Sequence, residues 1–278
     1  MKTYIKKIGK NQYNIEEFES VLELTKIDEK RTVTEDWANH CLSESKVQGD
    51  SRWYGVSTIK EAYDLLSQGW QEGTEKALSI SKNLKTIDRK KTNFVNNVQG
   101  FIPNVPLSLM NVPNSMIDVR PVQTKSKIVN IIYDNTASAS VSSSDMIRAG
   151  VNLVNLIIDL EMSGYRCNVK CTTTSCQDGS VDICLVNVKN ANQNLNLRKM
   201  MFPLAHSAWL RVIGFDWQDK SPIAKYKCSR GCPFYAYVND GQAKLDDLKS
   251  IYGENTYFIT YKQAINGKEA LRDFLKMR

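Results

Sequence analysis

Oxygen-bearing side chains alternate in one short polar stretch of the sequence, Asp134-Asn135-Thr136-Ala137-Ser138. In an extended loop, the first, third and fifth of these residues place a carboxylate and two hydroxyls on the same side. Mg²⁺ prefers hard oxygen ligands in near-octahedral geometry and usually keeps several waters. The spacing of Asp134, Thr136 and Ser138 therefore predicts a site for Mg²⁺ or Mn²⁺.

A second carboxylate for this site is predicted at Asp240, which follows a strand-like run at 234–238. Asp134 likewise ends an apolar run, 128–133, whose β-branched residues are typical of a strand buried on both faces. Ligands of open α/β sheets bind at the carboxyl ends of the strands. We therefore expect Asp134 and Asp240 to reach the same edge of a sheet.

The same loop residues also favour turns, and they can cap and hydrogen-bond a loop without any metal. The cysteines offer a different metal chemistry, because Cys167, Cys171, Cys228 and Cys232 could chelate zinc if the fold brought them together. Both pairs have three intervening residues, whereas two are usual in zinc knuckles. A zinc site is therefore the weaker alternative.

Other catalytic signals are missing from the sequence. We find no Gly-rich phosphate loop, no nucleophile elbow and no paired histidine and carboxylate. The two histidines are isolated. His206 lies in an apolar segment near Trp209, which favours a packed core histidine over a catalytic one.

The elements around Asp134 form a β-α-β unit. Ser142 or Ser144 can cap the amino end of the long apolar helix that follows, and Gly164 suits its carboxyl end. A strand resumes at 165–169. From Lys127 onwards, the order of elements predicts an α/β fold with a mostly parallel central sheet flanked by helices.

The chain before this unit divides into two parts. Residues 1–99 form a predicted helical N-terminal region, with helical spacing at 15–27 and a capping box at Thr58 and Glu61. Residues 100–126 are proline-rich yet apolar, and we interpret them as an extended strap packed across the surface of the α/β domain at 127–278. A strap that docks a partner is the functional alternative.

The motif at Asp134, Thr136 and Ser138 resembles the metal-ion-dependent adhesion site of the von Willebrand factor A domain. In that family the first strand ends in Asp-x-Ser-x-Ser and a long helix follows; here Thr replaces the first Ser. A later strand of the family ends in an Asp commonly followed by Gly, which Asp240-Gly241 matches. The resemblance covers roughly residues 127–278.

The chain is most similar to the divergent intracellular members of that family, in which a Leu-Glu pair precedes a Gly turn, as at Leu160-Glu161 and Gly164. One departure concerns a Thr that the family supplies before its second major helix. The corresponding loop here has neither Thr nor Ser, and Asn194 or Asn196 could substitute as a neutral oxygen ligand.

The first third also resembles uncharacterised proteins of bacteriophages and related mobile elements. Trp53-Tyr54-Gly55, the helix up to Gly69-Trp70, and residues 101–116 carry that similarity. It implies a viral origin rather than an activity.

Composition limits the cellular setting. The chain has a dispersed net charge of +7, seven cysteines, no apolar leader at its start and no run long enough for a membrane span. These features predict a cytoplasmic protein, in a host cytoplasm if phage-encoded, with no membrane partner.

Together, these observations predict a non-enzymatic protein-binding module of the von Willebrand A type with a degenerate adhesion site. The bound ion would take an acidic side chain from a partner protein. The alternatives are a metal-dependent phosphoester hydrolase, which would need a general base near the loop, and a basic nucleic-acid-binding protein. The sequence does not fix the oligomeric state.

Overall fold

The computed structural model describes residues 1–26, 42–81, 92–121, 127–177, 180–221, 223, 245–253 and 255–267. Strands in these ranges form two sheets. Their bounds are β1 Lys2–Ile8, β2 Asn11–Phe18, β3 Thr92–Asn97, β4 Ile102–Pro103, β5 Met116–Pro121, β6 Ile128–Asp134, β7 Arg166–Gln177, β8 Ser180–Lys189 and β9 Thr256–Thr260.

Helices account for most of the remaining structure. Their bounds are a 3₁₀ helix at Val21–Lys26, α1 Glu44–Gly49, α2 Ser51–Tyr54, α3 Ile59–Gln68, α4 Gln71–Ser81, α5 Val105–Leu109, α6 Ser143–Met162, α7 Leu197–Ala205, a π-helix at Trp209–Gly214, α8 Phe215–Lys220, α9 Leu245–Tyr252 and α10 Tyr261–Ile265. No helix within the described ranges is both long and apolar enough to cross a bilayer.

The main sheet has six strands in the order β1-β2-β8-β7-β6-β9. The pairs β2–β8, β7–β6 and β6–β9 are parallel, and the pairs β1–β2 and β8–β7 are antiparallel. The predicted α/β class with a mostly parallel sheet is confirmed at this level. The β7–β8 hairpin reverses the direction of two strands within that sheet.

The β6-α6-β7 unit forms where the sequence predicts it. Ser142 is the N-cap of α6, because its hydroxyl accepts from the Asp145 backbone N–H at 3.1 Å. Gly164 adopts a φ of 82° just after the helix, in the left-handed region that glycine enters without a Cβ penalty. The chain then turns directly into β7.

The amino-terminal strands correct one prediction. Residues 15–27 have mixed helical spacing, yet Asn11–Phe18 is a strand that pairs with β8 in the main sheet. Alternate side chains of β2 pack on opposite faces of the sheet, and this packing outweighs the weak helical periodicity. Helices occupy Glu44–Ser81, so a helical region spanning 1–99 is not what the structure shows.

The proline-rich segment also differs from the prediction. Instead of one extended strap, it contains β4, α5 and β5, and β5 pairs with both β3 and β4 in a separate three-stranded sheet. Asn104 caps α5 and Pro106 lies in its first turn, where a missing N–H costs nothing. Phe101 and Leu109 are 83% and 84% exposed, so neither packs on the main domain.

Two hydrophobic clusters cover the faces of the main sheet. On the first face, α6, α7 and the π-helix bury the side chains that alternate from Val129 to Tyr133. On the second face, Leu248 of α9 packs with Ile132 and Phe258. Helices α6 and α7 approach closely, since a Cβ at Gly150 would lie 2.3 Å from the Ala205 Cα. The carboxyl end of β6 lies between these two layers.

Candidate functional site

Asp134 is the last residue of β6 and is 4% exposed. In the register of the sheet it lies opposite Thr172 of β7 on one side and Thr260 of β9 on the other. Residues paired across parallel strands present their side chains to the same face. The strand ends therefore place a buried carboxyl between two threonines.

Hydroxyl groups from the loop and from β7 surround this carboxyl. Thr136 donates to Asp134 Oδ1 twice, from its backbone N–H at 3.1 Å and from its hydroxyl at 2.5 Å. Thr174 Oγ1 lies 3.4 Å from Asp134 Oδ2, and the Thr174 N–H donates to Thr136 Oγ1 at 2.9 Å. We refer to Asp134, Thr136, Thr172 and Thr174 as the threonine cluster.

Burial raises the pKa of Asp134 to about 7, while the hydrogen bonds from Thr136 and Thr174 oppose that shift. No hydrogen bond or ion pair in the described ranges joins Asp134 to a lysine or arginine. The carboxylate is therefore desolvated without a compensating cation, which is costly for an ionised acid. Near neutral pH, a small electrostatic change decides whether it carries a proton.

Thr172 adds another polar group to this cluster. Its side chain is fully buried, and its Oγ1 forms no hydrogen bond within the part of the chain that is described. Buried hydroxyls nearly always have a partner. Because Thr172 lies beside Asp134 in the register, the cluster holds one more oxygen than its internal hydrogen bonds use.

Ser138 does not join the cluster. Its hydroxyl lies 3.0 Å from the hydroxyl of Ser140, on the more exposed part of the loop. Asp134 and Thr136 are thus brought together as predicted, and Ser138 forms no hydrogen bond with either. The loop turns away after Ala137, which is itself buried.

Two side chains from outside the loop fix its path. Trp53 Nε1 donates to the Ala139 carbonyl at 2.8 Å. Arg211, in the π-helix, donates to the Val141 carbonyl at 2.5 Å and to Ser143 Oγ at 3.2 Å. Loop 138–142 is therefore anchored to the helical layer rather than free.

Other predicted ligands lie elsewhere. Asp240 falls outside the described residues. Asn196 is the N-cap of α7, where its side chain accepts from the Lys199 N–H at 3.2 Å. Asn194 is exposed and lines a cavity with Leu66. Neither asparagine hydrogen-bonds with the threonine cluster, so the structure gives no support for them as substitute ligands.

The cysteines differ from the predicted zinc site in their surroundings. Cys167 and Cys171 are buried on the helix-covered face of β7, and the Cys171 thiol lies 3.2 Å from the Pro203 carbonyl. Burial raises the pKa of both thiols, which disfavours the thiolate that zinc requires. Cys228 and Cys232 fall outside the described residues.

Among the described residues, no group of three or more His, Cys, Asp or Glu side chains could hold a metal ion. A site at Asp134 would therefore depend on hydroxyl and water oxygens. His206 packs as predicted, with its ring centroid 4.6 Å from that of Trp70. Burial lowers the pKa of His206 to about 4, so this histidine is neutral at physiological pH.

Sequence reasoning missed Thr172 and Thr174. Threonine is common in strands because of its branched Cβ, so a run of threonines in β7 indicates only a strand. The available signal was a change within that strand, from an alternation of apolar and polar residues up to Cys171 to the unbroken polar run Thr172–Ser175. The change coincides with the register position of Asp134.

Comparison with known proteins adds one family. A family model described as a domain of unknown function, DUF7192, matches residues 6–277. No curated protein and no solved structure matches the chain.

Proposed function

The chain belongs to the DUF7192 family, and from the geometry of its own residues we propose that it is a non-enzymatic protein-binding module of the von Willebrand A type. The binding edge is the carboxyl end of β6, where the threonine cluster holds Asp134. A phage origin and a cytoplasmic location belong to the same proposal, on the basis of the sequence resemblances.

One observation carries this proposal: the buried Asp134 carboxyl is surrounded by hydroxyls and has no cationic partner among the described residues. A divalent ion at this edge would supply the missing positive charge. The donor set suits a hard ion in kind, because carboxylate and hydroxyl oxygens are what Mg²⁺ and Mn²⁺ prefer. The unused Thr172 hydroxyl points to the same deficit.

The chain's own residues would hold the ion and orient its open coordination position. Asp134 provides the charge, Thr136 and Thr174 provide neutral oxygens, and the anchored loop keeps Thr136 against β7. A bound ion would offer an open coordination position for an acidic side chain of a partner protein. Two neutral ligands and one carboxylate leave the ion with excess positive charge, which favours such a partner.

A second surface supports protein binding independently of any metal. Large apolar side chains are exposed within residues 98–110, which include β4, α5 and the turns beside them: Val98, Phe101, Ile102, Val105, Leu109 and Met110. We call these six residues the apolar patch. Soluble proteins seldom expose so many large hydrophobic groups together unless the surface binds something.

The hydrolase alternative has less support. Hydrolysis of a phosphoester would need a general base within hydrogen-bonding reach of an attacking water. In the described ranges, no second carboxylate forms a hydrogen bond with the threonine cluster. The nucleic-acid alternative rests on the dispersed net charge of +7.

The direct test is to titrate the full chain with Mn²⁺ and to measure binding by calorimetry and by electron paramagnetic resonance. Asp134→Asn and Thr136→Val should each lower Mn²⁺ affinity by at least about tenfold, since the first removes the negative charge of the site and the second removes a hydroxyl ligand. Asp145→Asn is the matched control, because Asp145 is a more exposed carboxylate in the first turn of α6. Equal Mn²⁺ affinity in Asp134→Asn and wild type would refute the metal site.

Partner binding needs its own measurement. An array of acidic peptides should bind the wild-type chain in Mg²⁺, and that binding should disappear in chelator and in Asp134→Asn. Binding that is unchanged in chelator would assign recognition to the apolar patch alone.

A further inference from the structure

A second cavity lies on the face of the main sheet that carries α9. Its volume is about 370 Å³, which falls within the range of small-molecule sites. Strands β1, β2, β6, β7 and β8 form its floor, and the end of α9 forms part of its wall. This cavity contains none of the threonine cluster.

The floor of the cavity is polar where a sheet face is normally apolar. Asn130 of β6 and Asn168 of β7 lie opposite each other in the register, and the Asn168 Nδ2 donates to Asn130 Oδ1 at 2.8 Å. Lys170 of β7 likewise lies opposite Asn187 of β8. Nearby positions on the same face, such as Leu185 and Ile132, belong to the apolar core.

Charge in the cavity is balanced. Lys170 Nζ lies 2.5 Å from Glu17 Oε1, and these two are the only charged residues lining the cavity within the described part of the chain. Tyr4 also hydrogen-bonds with Glu17, and burial together with Glu17 raises the Tyr4 pKa to about 12. Tyr4 is therefore a neutral hydrogen-bond donor, and the cavity favours a ligand without net charge.

Two lining residues carry buried polar atoms with unmet hydrogen bonds. In the ranges that are described, neither Asn187 Oδ1 nor Tyr252 Oη has a partner. Tyr252 is in the last turn of α9, and Asn187 is in β8, so one atom comes from the wall and the other from the floor. Leaving such groups unpaired is unfavourable for folding. Their presence in the cavity therefore indicates that they bind a ligand.

We propose that this cavity binds a neutral carbohydrate of one or two rings. Amide side chains both donate and accept hydrogen bonds, as sugar hydroxyls do. Asn130, Asn168 and Asn187 spread these groups over three strands spaced about 4.8 Å apart. A ring with hydroxyls on all its edges can reach such a floor, whereas a nucleobase offers its polar atoms only in one plane.

The tyrosines add an apolar contact. Tyr4 and Tyr252 line the cavity, and an aromatic ring can pack on the C–H groups of a sugar while its hydroxyl bonds elsewhere. Lys170 and Glu17 offer one donor and one acceptor to vicinal hydroxyls without adding net charge.

The test is saturation-transfer NMR and calorimetry on the full chain with glucose, galactose, mannose, N-acetylglucosamine, maltose and chitobiose. At least one sugar should bind with a Kd of about 1 mM or tighter. Asn130→Leu and Tyr252→Phe should weaken that affinity by at least about tenfold. Tyr252→Phe should keep or raise the Tm, because it removes a hydroxyl with no partner among the described residues. Asn130→Leu should lower the Tm slightly, because Asn168 Nδ2 loses its acceptor.

Matched controls separate binding from stability. Asn192→Leu, on an exposed loop, and Tyr165→Phe, packed against the opposite face, should keep wild-type affinity. If no sugar binds, or if Asn130→Leu and Tyr252→Phe bind as well as wild type, the proposal is refuted. Adenosine or cytidine binding in place of sugars would also overturn it.

Discussion

The guanidinium carbon of Arg211 lies 4.2 Å from the ring centroid of Trp53, and these two side chains together hold the loop that follows Asp134. Trp53 Nε1 donates to the Ala139 carbonyl, and Arg211 donates to the carbonyls of Val141 and Trp53 itself. This loop is therefore held by a buried arginine stacked on an aromatic ring, and not by a helix or a strand.

Removing this support should destabilise the protein. Arg211→Met leaves the Val141 carbonyl without its donor, and the Trp53 carbonyl keeps only the Ser143 hydroxyl. We therefore expect a loss of about 2–4 kcal/mol in the free energy of unfolding. Urea denaturation measures the loss. Arg148→Met is the control, because Arg148 forms an exposed ion pair with Asp145, and it should change stability by less than about 0.5 kcal/mol. Similar losses in both variants would contradict the assigned role of Arg211.

Stability should depend on pH through Asp134. Its pKa of about 7 in the folded protein lies above the ordinary value of 3.8, so the folded state binds the proton more tightly than the unfolded state. The stabilisation from this proton is complete below about pH 4 and is lost as the pH rises through 7, by at most about 4 kcal/mol. Other groups titrate as well, so the comparison must be made against a variant.

Asp134→Asn isolates this contribution. The variant should be more stable than wild type at pH 8, and the difference should shrink towards pH 5, as measured by urea denaturation without divalent ions. Asp145→Asn should show no such trend. A pH-independent difference between Asp134→Asn and wild type would contradict the raised pKa.

Helix packing gives a prediction that opposes helix propensity. Gly150→Ala should stabilise α6 by propensity alone, yet the new Cβ would lie 2.3 Å from both the Ala205 Cα and the Leu204 carbonyl oxygen. Because backbone atoms cannot move away without distorting the helix, we expect a net loss of about 1–3 kcal/mol in the free energy of unfolding, measured by thermal denaturation. Gly49→Ala, in α1 with open space around it, should be neutral or slightly stabilising. The opposite order of the two variants would contradict the close approach of α6 and α7.

The apolar patch should serve binding rather than folding. Phe101 and Leu109 are almost fully exposed, so Phe101→Ser with Leu109→Ser should change the free energy of unfolding by less than about 1 kcal/mol. The same double variant should bind less of the dye anilinonaphthalene sulfonate in the native state. Leu22→Ser with Leu78→Ser, two scattered exposed leucines, should leave dye binding unchanged. A large loss of stability in the patch variant would assign these residues to the core.

The sequence predicts best where one signal dominates. The apolar run before Asp134, the Ser142 cap and the Gly164 turn each specify local structure, and all three appear in the structure. Pairing between strands that are distant in sequence has a weaker local signal. Nothing local in Asn11–Phe18 indicates that its partner is β8, and the mixed spacing at 15–27 predicts a helix where the structure continues the strand to Phe18.

The candidate site likewise combines contacts that the local sequence predicts with contacts that depend on long-range pairing. Asp134 and Thr136 are near in sequence and their contact was predictable from spacing. Thr174 reaches Asp134 only through the register of β6 and β7, which no pattern within either strand specifies. Arg211 was equally hidden, because its anchoring role depends on where a π-helix places one side chain.

The pairing of β2 with β8 also bears on how the chain is made. Asn14 Nδ2 donates to Asp182 Oδ1, a partner 168 residues later, so β1 and β2 leave the ribosome well before the strand that completes their pairing. During that interval the β1–β2 hairpin has an unpaired β2 edge, which is open to pairing with other chains. Chaperones that cover this edge during synthesis should therefore raise the yield of folded protein.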